Sequence, residues 1–314
     1  MSTHIMSARP HSAARQMLQD CRLRPELSGP DAAFFSGADR LVFAGNRQYH
    51  DAALSVCPAF ESLCGLKASA CTMEEIRCGT VRLSSKTVVL VLGPSGQEMP
   101  SVPSDVRLFH LPLSIREEQL LPDYFSAVYG LLVLALRTAA ALGAESGAVD
   151  TCRACMDAYA DAAALSCGAI QPQLVQAAQL LDGARDFETV GLGPELGTAG
   201  FFNRLLISAT HHFSNCENAE EWCHLNFFLR KHHDTAVLLF ASGVNPGMNR
   251  IVEAVTVMRR MERPLVVCTD APAEIFPMGT QVLHHPSAPE HWMAPLGQIL
   301  TAGALVHELR QKEV

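Results

Sequence analysis

The sequence predicts an α/β protein of two similar halves, each a mostly parallel sheet flanked by helices in a three-layer αβα arrangement. Short apolar runs that end in glycine alternate with helical segments along all 314 residues, and this alternation is typical of βαβ units. The order helix, strand–glycine, helix, strand, strand–glycine, strand, helix occurs twice, which indicates an internal repeat of about 150 residues. We therefore predict a first domain at 1–147 and a second at 148–314.

In the first half, the apolar run at 86–92 is the clearest strand, because it is rich in valine and is followed at once by Gly93 and Pro94. Pro10 fits the start of a helix over 7–21, since proline is tolerated in a first helical turn. The predicted strands are 40–45, 68–71, 86–92 and 107–112, and the other predicted helices are 51–66 and 119–142.

The second half follows a stretch of small and polar residues at 144–149, the predicted domain boundary. Apolar runs that end at Gly193 and at Ser242 repeat the strand–glycine pattern of the first half. The predicted strands are 188–193, 235–241, 264–269 and 281–284, and the predicted helices are 151–165, 172–181, 197–210, 249–261 and 292–310.

Polar turns follow the predicted strands in both halves. Ligands of open parallel sheets bind at the carboxyl ends of the strands, so these turns are candidate ligand sites. The first turn also precedes a helix, whose N-terminal amides favour an anion. The candidate ligand-binding residues are Gly45, Asn46, Arg47, Ser95, Gly96, Gln97, Gly193 and Ser242.

Composition argues against several other classes of protein. The net charge of −8 does not indicate the positively charged surface that binding to nucleic acid requires. No run of 18 apolar residues occurs, and Arg137 interrupts the longest apolar stretch, at 129–142, which we interpret as a buried helix. The first residues lack the apolar core of a secretory signal. We expect a cytoplasmic protein with no membrane partner, and eleven reduced, mostly buried cysteines.

Histidine and cysteine positions leave a metal site open as an alternative. Histidines cluster at 211–212, 224, 232–233 and 284–285, near Cys216 and Cys223. Their spacings match no closed zinc pattern. The pair Cys152 and Cys155 lies within a predicted helix rather than at its start after a strand, so we interpret it as coincidence rather than a redox motif. We expect neither a metal nor an organic cofactor.

Six short stretches together resemble one family. Residues 44–47 look like a Cys-Gly-Thr-Ser turn, 92–97 like a Ser-Gln-Ser-Gly-Glu-Thr phosphate loop and 190–193 like a Leu-Gly-Arg-Gly turn. The stretches 60–65, 219–224 and 289–296 add an aromatic-Glu-Ser-Leu-Ala-Gly segment, a Glu-x-x-His segment and the approach to the last helix. In order and spacing they resemble the double sugar isomerase (SIS) family, which includes the isomerase part of glucosamine-6-phosphate synthase and fructosamine-6-phosphate deglycases. The resemblance covers about residues 6–311.

This resemblance implies a carbohydrate derivative as ligand, most directly a phosphosugar, with the Ser95 loop holding the phosphate. It also implies catalytic roles for Glu221 and His224, which share a helix face at a spacing of three. A carboxylate and an imidazole are suited to moving a proton between C1 and C2 of a sugar, or to opening its ring. The family's histidine serves the neighbouring subunit, which implies a homodimer.

The sequence also departs from the family pattern. Gly93 and Pro94 replace a Ser-Gln pair, Glu98 replaces a threonine, and Arg47 replaces a serine whose role its guanidinium could take over. Ser208 stands where the family has its general-base glutamate. A second glutamate and a lysine correspond to Phe201 and Leu205, and no counterpart of the family's C-terminal lysine segment precedes Val314.

Two functions therefore remain open. One is an aldose–ketose isomerase or sugar–amine deglycase. The other is a catalytically inactive protein that binds a sugar phosphate as a sensor or regulator.

Overall fold

The computed structural model describes residues 10–24, 27–228 and 234–310. The chain forms two compact units: the first is Cys21–Asp157, and the second combines Met1–Asp20 with Ala158–Val314. The predicted domain boundary between 147 and 148 stays a prediction. It falls inside a long helix, Ser146–Ala169.

The first unit contains a four-stranded, wholly parallel sheet in the order β2-β1-β3-β4. All seven residues of β3 are buried, which explains why its sequence is a continuous apolar run. The strands are β1 Arg40–Ala44, β2 Lys67–Cys71, β3 Thr87–Gly93 and β4 Arg107–Pro112. The helices are α1 Pro10–Leu23, α2 Ala32–Phe35, α3 Gln48–Cys64, α4 Met73–Arg77, α5 Leu120–Ala141 and α6 Ser146–Ala169, of which α1 and α6 also extend into the second unit.

Helix α5 is the core helix of the first unit. Together with the short turn before it, at Glu117–Ala141, it is long and apolar enough to cross a membrane, but 72% of its most apolar window is buried inside the protein. Tyr124, Phe125 and Leu131 are completely buried. The burial of this helix is typical of the core of a soluble protein.

The second unit contains a five-stranded, wholly parallel sheet in the order β6-β5-β7-β8-β9. The strands are β5 Asp186–Gly191, β6 Phe213–Asn218, β7 Thr235–Ala241, β8 Leu265–Thr269 and β9 Gln281–His284. The helices are α7 Gln171–Leu181, α8 Pro194–Thr210, α9 Ala219–Leu225, α10 Met248–Arg260 and α11 Ala294–Arg310. The predicted α/β class with two parallel sheets flanked by helices is confirmed.

Strand β6 and helices α2 and α4, all short, have no counterpart among the sequence predictions. Strand β6 has the polar sequence FSNCEN and lies at a sheet edge, where Ser214 is its only buried residue. Helix α4 has five residues and is fixed by a capping box, in which Thr72 accepts from the Glu75 amide and the Glu75 carboxylate accepts from the Thr72 amide. Neither β6 nor α4 has the apolar periodicity on which sequence prediction depends.

Candidate functional site

The first candidate turn joins β1 to α3. Gly45 is buried, and a Cβ atom there would lie 2.9 Å from the Cβ of Tyr49, so this position favours glycine. The side chain of Asn46 links the turn to the start of α4, because its Oδ1 accepts a hydrogen bond of 3.0 Å from the amide of Met73. Arg47 is exposed and has φ 54° and ψ −127°, a conformation that favours glycine. The turn therefore presents a strained arginine beside the N-terminus of a 17-residue helix.

The second candidate turn follows β3. Ser95 and Gly96 are exposed, Gln97 is half-buried, and Gly96 has φ +85°. The amide of Gln97 donates to the carbonyl of Pro94 at 3.0 Å, which closes the loop. Glu98, the carboxylate that would repel a phosphate, lies 3.4 Å from Nη2 of Arg77. Its charge is therefore partly balanced.

The corresponding corner of the second unit joins β5 to α8. Gly193 has φ 68° and ψ −129°, nearly the same backbone as Arg47. A Cβ on Gly191 would lie only 2.4 Å from the carbonyl oxygen of Glu195. This corner is thus the structural counterpart of the first turn. It has glycine both where a Cβ would clash, at Gly191, and where φ is positive, at Gly193.

A buried carboxylate lies directly behind this corner. Glu195 is fully buried, and its Oε1 is 3.0 Å from Nε2 of His291, while its Oε2 accepts from Nδ2 of Asn245 at 2.8 Å. The same Asn245 nitrogen donates to the carbonyl of Leu192 at 2.9 Å. The carboxyl ends of β5 and β7 are therefore linked to the segment that leads into α11.

Burial raises the pKa of the Glu195 carboxyl above its ordinary value. Burial alone would lower the pKa of His291, but the hydrogen bond that its Nε2 donates to the Glu195 carboxylate, together with the negative charge of that carboxylate, outweighs this effect and raises the pKa. The His291 side chain remains 24% exposed. An imidazole oriented by a buried carboxylate and open to solvent is suited to proton transfer.

The sequence alone does not reveal the pair of Glu195 and His291. His291 lies within residues 289–296, one of the stretches that resemble the double sugar isomerase family. Glu195 is 96 residues away along the chain, so no local sequence pattern connects the two residues. The one sequence feature that points to Glu195 is its position, four residues after Gly191 at the end of β5 and in the first turn of α8.

Ser242, a predicted ligand residue, ends β7 in the same unit. It is fully buried, and its Oγ has no hydrogen-bond partner among the described residues. Its carbonyl accepts from the amide of Asn245 at 2.9 Å. Ser242 thus positions the loop that carries Asn245, and its contact with a ligand stays a prediction.

Glu221 and His224 lie on α9 and are both exposed. His224 pairs with Glu220 rather than Glu221, with Nε2 and Oε1 3.1 Å apart, and Glu220 in turn binds Nε of Arg250 at 2.5 Å. Trp222 anchors the helix by donating from Nε1 to the buried carboxylate of Glu188 at 2.8 Å. The catalytic roles of Glu221 and His224 stay predictions, because they depend on a second subunit.

Three of the positions that depart from the family pattern, Ser208, Phe201 and Leu205, lie on α8. Ser208 is exposed, whereas Phe201 and Leu205 are buried in the core. Phe201 packs edge-to-face against Phe202, with ring centroids 5.3 Å apart. These three positions are therefore uncharged where the family pattern has charged side chains.

Within residues 10–24, 27–228 and 234–310, no group of three or more His, Cys, Asp or Glu side chains is arranged to hold a metal ion. His232 and His233 lie outside the described residues, so the expected absence of a metal stays a prediction. Cys57 and Cys167 are buried, which raises the pKa of each thiol to about 12 and keeps both thiols neutral.

No protein-family model and no curated protein matches this chain. Solved structures do match it. The C-terminal domain of glucosamine-fructose-6-phosphate aminotransferase from Francisella tularensis has a TM-score of 0.74 at 9% identity, covering 96% of each chain. Tagatose-6-phosphate ketose/aldose isomerase from Escherichia coli has a TM-score of 0.63 at 14% identity, over 96% of this chain and 88% of that one.

A third similar structure is glucosamine-6-phosphate deaminase from Thermotoga maritima, with a TM-score of 0.57 at 13% identity, over 96% of this chain and 94% of that one. At such low identity these similarities establish the fold and not the chemistry. The fold that the sequence resemblance implied, that of the double sugar isomerase proteins, is confirmed across nearly the whole chain.

Proposed function

We propose that this protein binds a carbohydrate derivative of the phosphosugar class and acts on it as an aldose–ketose isomerase or a sugar–amine deglycase. The observation that carries the proposal is the agreement in fold over 96% of the chain with an aminotransferase domain and a ketose/aldose isomerase, both named for sugar 6-phosphates. We expect a cytoplasmic homodimer.

In this proposal the polar turns hold the anionic group. Ser95, Gly96 and Gln97 offer a hydroxyl and backbone amides after β3, and Arg47 offers a guanidinium at the start of α3. Gly45 and Asn46 shape the turn that carries Arg47, and Gly193 and Ser242 are proposed ligand contacts at strand ends of the second unit. Arg77 lies 3.4 Å from Glu98 but also pairs with Glu74, so the repulsion of a phosphate by Glu98 is only partly offset.

Proton transfer is assigned to Glu221 and His224 of a neighbouring subunit. The structure suggests a second candidate in His291, which the buried carboxylate of Glu195 orients. The two candidates are separable, because His224 is a surface residue on α9 and His291 lies at the carboxyl edge of the second sheet.

The alternative is a catalytically inactive protein that senses a sugar phosphate. The specific observation in its favour is the face of α8, where exposed Ser208 and buried Phe201 and Leu205 supply no acid, base or charge.

A thermal-shift screen tests the ligand class, with hexose and ketose 6-phosphates, amino-sugar phosphates and phosphorylated fructosamines. A ligand at 100 times its dissociation constant should add about 2.7 kcal/mol of stability. If no phosphorylated compound raises the melting temperature of the protein, the proposed ligand class is wrong.

Turnover of any compound that binds then separates the two functions. His224→Ala and His291→Ala are compared with His284→Ala, a control at an exposed histidine on β9. Loss of kcat in one of the first two variants, with binding retained, supports the enzyme and identifies its proton-transfer group. Binding without turnover in the wild-type protein supports the sensor.

A further inference from the structure

A cavity of about 310 Å³ opens within the first unit beside the end of β4. One wall is a face of α5, whose lining residues recur at helical spacing. The other walls come from the end of α1, the segment after β4 and Arg153 of α6. Among the described residues, the lining includes none of those that the sequence predicted as ligand-binding.

The cavity is positively charged in a protein whose net charge is −8. Arg22, Arg24 and Arg153 line it, and their side chains are 33%, 36% and 34% exposed. Asp123 is the only lining carboxylate among the described residues. With the adjoining Arg116 and Asp157 included, four arginines face two aspartates, so an excess of positive charge remains.

The arginines at this cavity are held in place by those two carboxylates. Asp123 accepts from Nη2 of Arg24 at 2.6 Å and from Nε of Arg116 at 2.8 Å. Asp157 accepts from Nε of Arg153 at 3.2 Å and from the hydroxyl of Tyr129. The guanidinium of Arg153 also lies 5.6 Å from the centre of the Tyr129 ring. These contacts fix the positive groups before a ligand arrives, which reduces the entropic cost of binding.

The remaining surface suits a small organic molecule. Leu27, Leu113 and Val133 form an apolar side, and Ser114 and Ser126 add hydroxyls. The volume lies at the lower end of the range of about 300–1,000 Å³ that is common for ligand pockets. The lining thiol of Cys21 adds no negative charge, because burial raises its pKa to about 11.

We propose that this cavity is a binding site for a small phosphate monoester, separate from the Ser95 loop. The phosphate lies among Arg22, Arg24 and Arg153, whose planar guanidinium groups match its oxygens in pairs. The carbon skeleton lies against Leu113 and Val133.

Calorimetric titration of the purified protein with fructose 6-phosphate tests the site, with fructose as the uncharged comparison. Arg24→Gln should raise the dissociation constant of fructose 6-phosphate at the cavity site about tenfold or more. Arg116 still pairs with Asp123 in that variant, so the fold should survive, and a melting curve checks this. Ser126→Phe should have the same effect by filling the cavity without changing any charge.

Two control variants make the result specific. Arg82→Gln removes an exposed arginine of the same unit, outside the cavity lining, and should leave binding unchanged. Ser95→Ala alters the loop of the proposed function and should leave the cavity's binding event in place.

Binding that is lost in both Arg24→Gln and Ser126→Phe but kept in both controls supports the proposal. Wild-type affinity in Arg24→Gln overturns it, as does an equal loss in Arg82→Gln, which would indicate non-specific attraction. Loss in Ser95→Ala alone also overturns it but leaves the proposed function standing. If the wild-type protein binds neither fructose 6-phosphate nor inorganic phosphate, the cavity proposal fails, and the wider ligand screen still tests the function.

Discussion

The β1–α3 corner of the first unit and the β5–α8 corner of the second have the same backbone and different side chains. Arg47 and Gly193 occupy equivalent positions with φ, ψ of 54°, −127° and 68°, −129°. Four residues after the strand-ending glycine, the first corner has half-buried Tyr49 and the second has fully buried Glu195. The shared backbone geometry comes from the strand–helix connection itself. The different side chains therefore indicate a different role for each corner.

The largest expected difference concerns the strand-ending glycines. At Gly191 an added Cβ would meet backbone atoms of α8 at 2.4–2.6 Å, whereas at Gly45 the nearest atom is a side-chain carbon at 2.9 Å. Gly191→Ala should destabilise its unit by about 3 kcal/mol or more, and Gly45→Ala its own unit by about 1–2 kcal/mol.

Trp222 and Trp292, the only tryptophans of the chain, both belong to the second unit. Tryptophan fluorescence during urea unfolding therefore reports on Gly191→Ala, and far-UV circular dichroism covers both variants. Equal losses in the two variants would show that the corners are equally tight, contrary to the geometry.

The second comparison concerns the residues behind the two corners. Glu195→Ala removes an acceptor of both Asn245 and His291. One buried N–H of Asn245 and a partly buried imidazole then lose a partner, which should cost about 2–3 kcal/mol. Tyr49→Phe removes only the acceptor of a 3.4 Å bond from the amide of Ile115 and should cost less than about 1 kcal/mol. Urea midpoints measure both. If Glu195→Ala is no more harmful than Tyr49→Phe, the pair with His291 does not hold its corner together.

The third comparison concerns backbone strain. A non-glycine residue in the conformation of Arg47 stores about 1–3 kcal/mol, and glycine costs about 0.5–1 kcal/mol of chain entropy. Arg47→Gly should therefore stabilise the first unit by about 1 kcal/mol, while Gly193→Ala should destabilise the second by about 1–2 kcal/mol.

If Arg47 holds an anionic ligand, the stabilised Arg47→Gly variant should also bind phosphosugars more weakly. Thermal melting with and without ligand measures both effects. A variant that is more stable and binds as tightly as the wild-type protein would leave Arg47 without a role in the site.

The same corners show how far the sequence could predict the structure. Strand-ending glycines and apolar runs are local signals, so β3, β4, β7 and β9 were predicted within one residue at each end. The edge strand β6 has no such signal, because it pairs with β5 through its backbone and buries only Ser214, so its polar side chains form no apolar pattern. On α9 the sequence placed Glu221 and His224 on one face, yet His224 binds Glu220, since a residue four positions away is as close on a helix as one three away.

The smallest expected effect is a contrast in pH dependence between two buried carboxyls. Burial alone would raise the pKa of Asp123 in the first unit, but hydrogen bonds from Arg116 and Arg24 outweigh it and lower the pKa below its ordinary 3.8. Its contribution to stability is present above that value and is lost as the pH falls through the folded-state pKa.

Glu195 in the second unit has the opposite sign. Burial raises its pKa above the ordinary 4.5, so its contribution is full below 4.5 and is lost as the pH rises through the folded-state pKa. The raised pKa of His291 acts in the same direction above its ordinary 6.5. The stability advantage of the wild-type protein over Asp123→Asn should therefore shrink in acid, while its advantage over Glu195→Gln should grow. Urea midpoints measured from below pH 3.8 to above pH 6.5 test both trends, and parallel trends in the two variants would contradict the opposite environments assigned to these carboxyls.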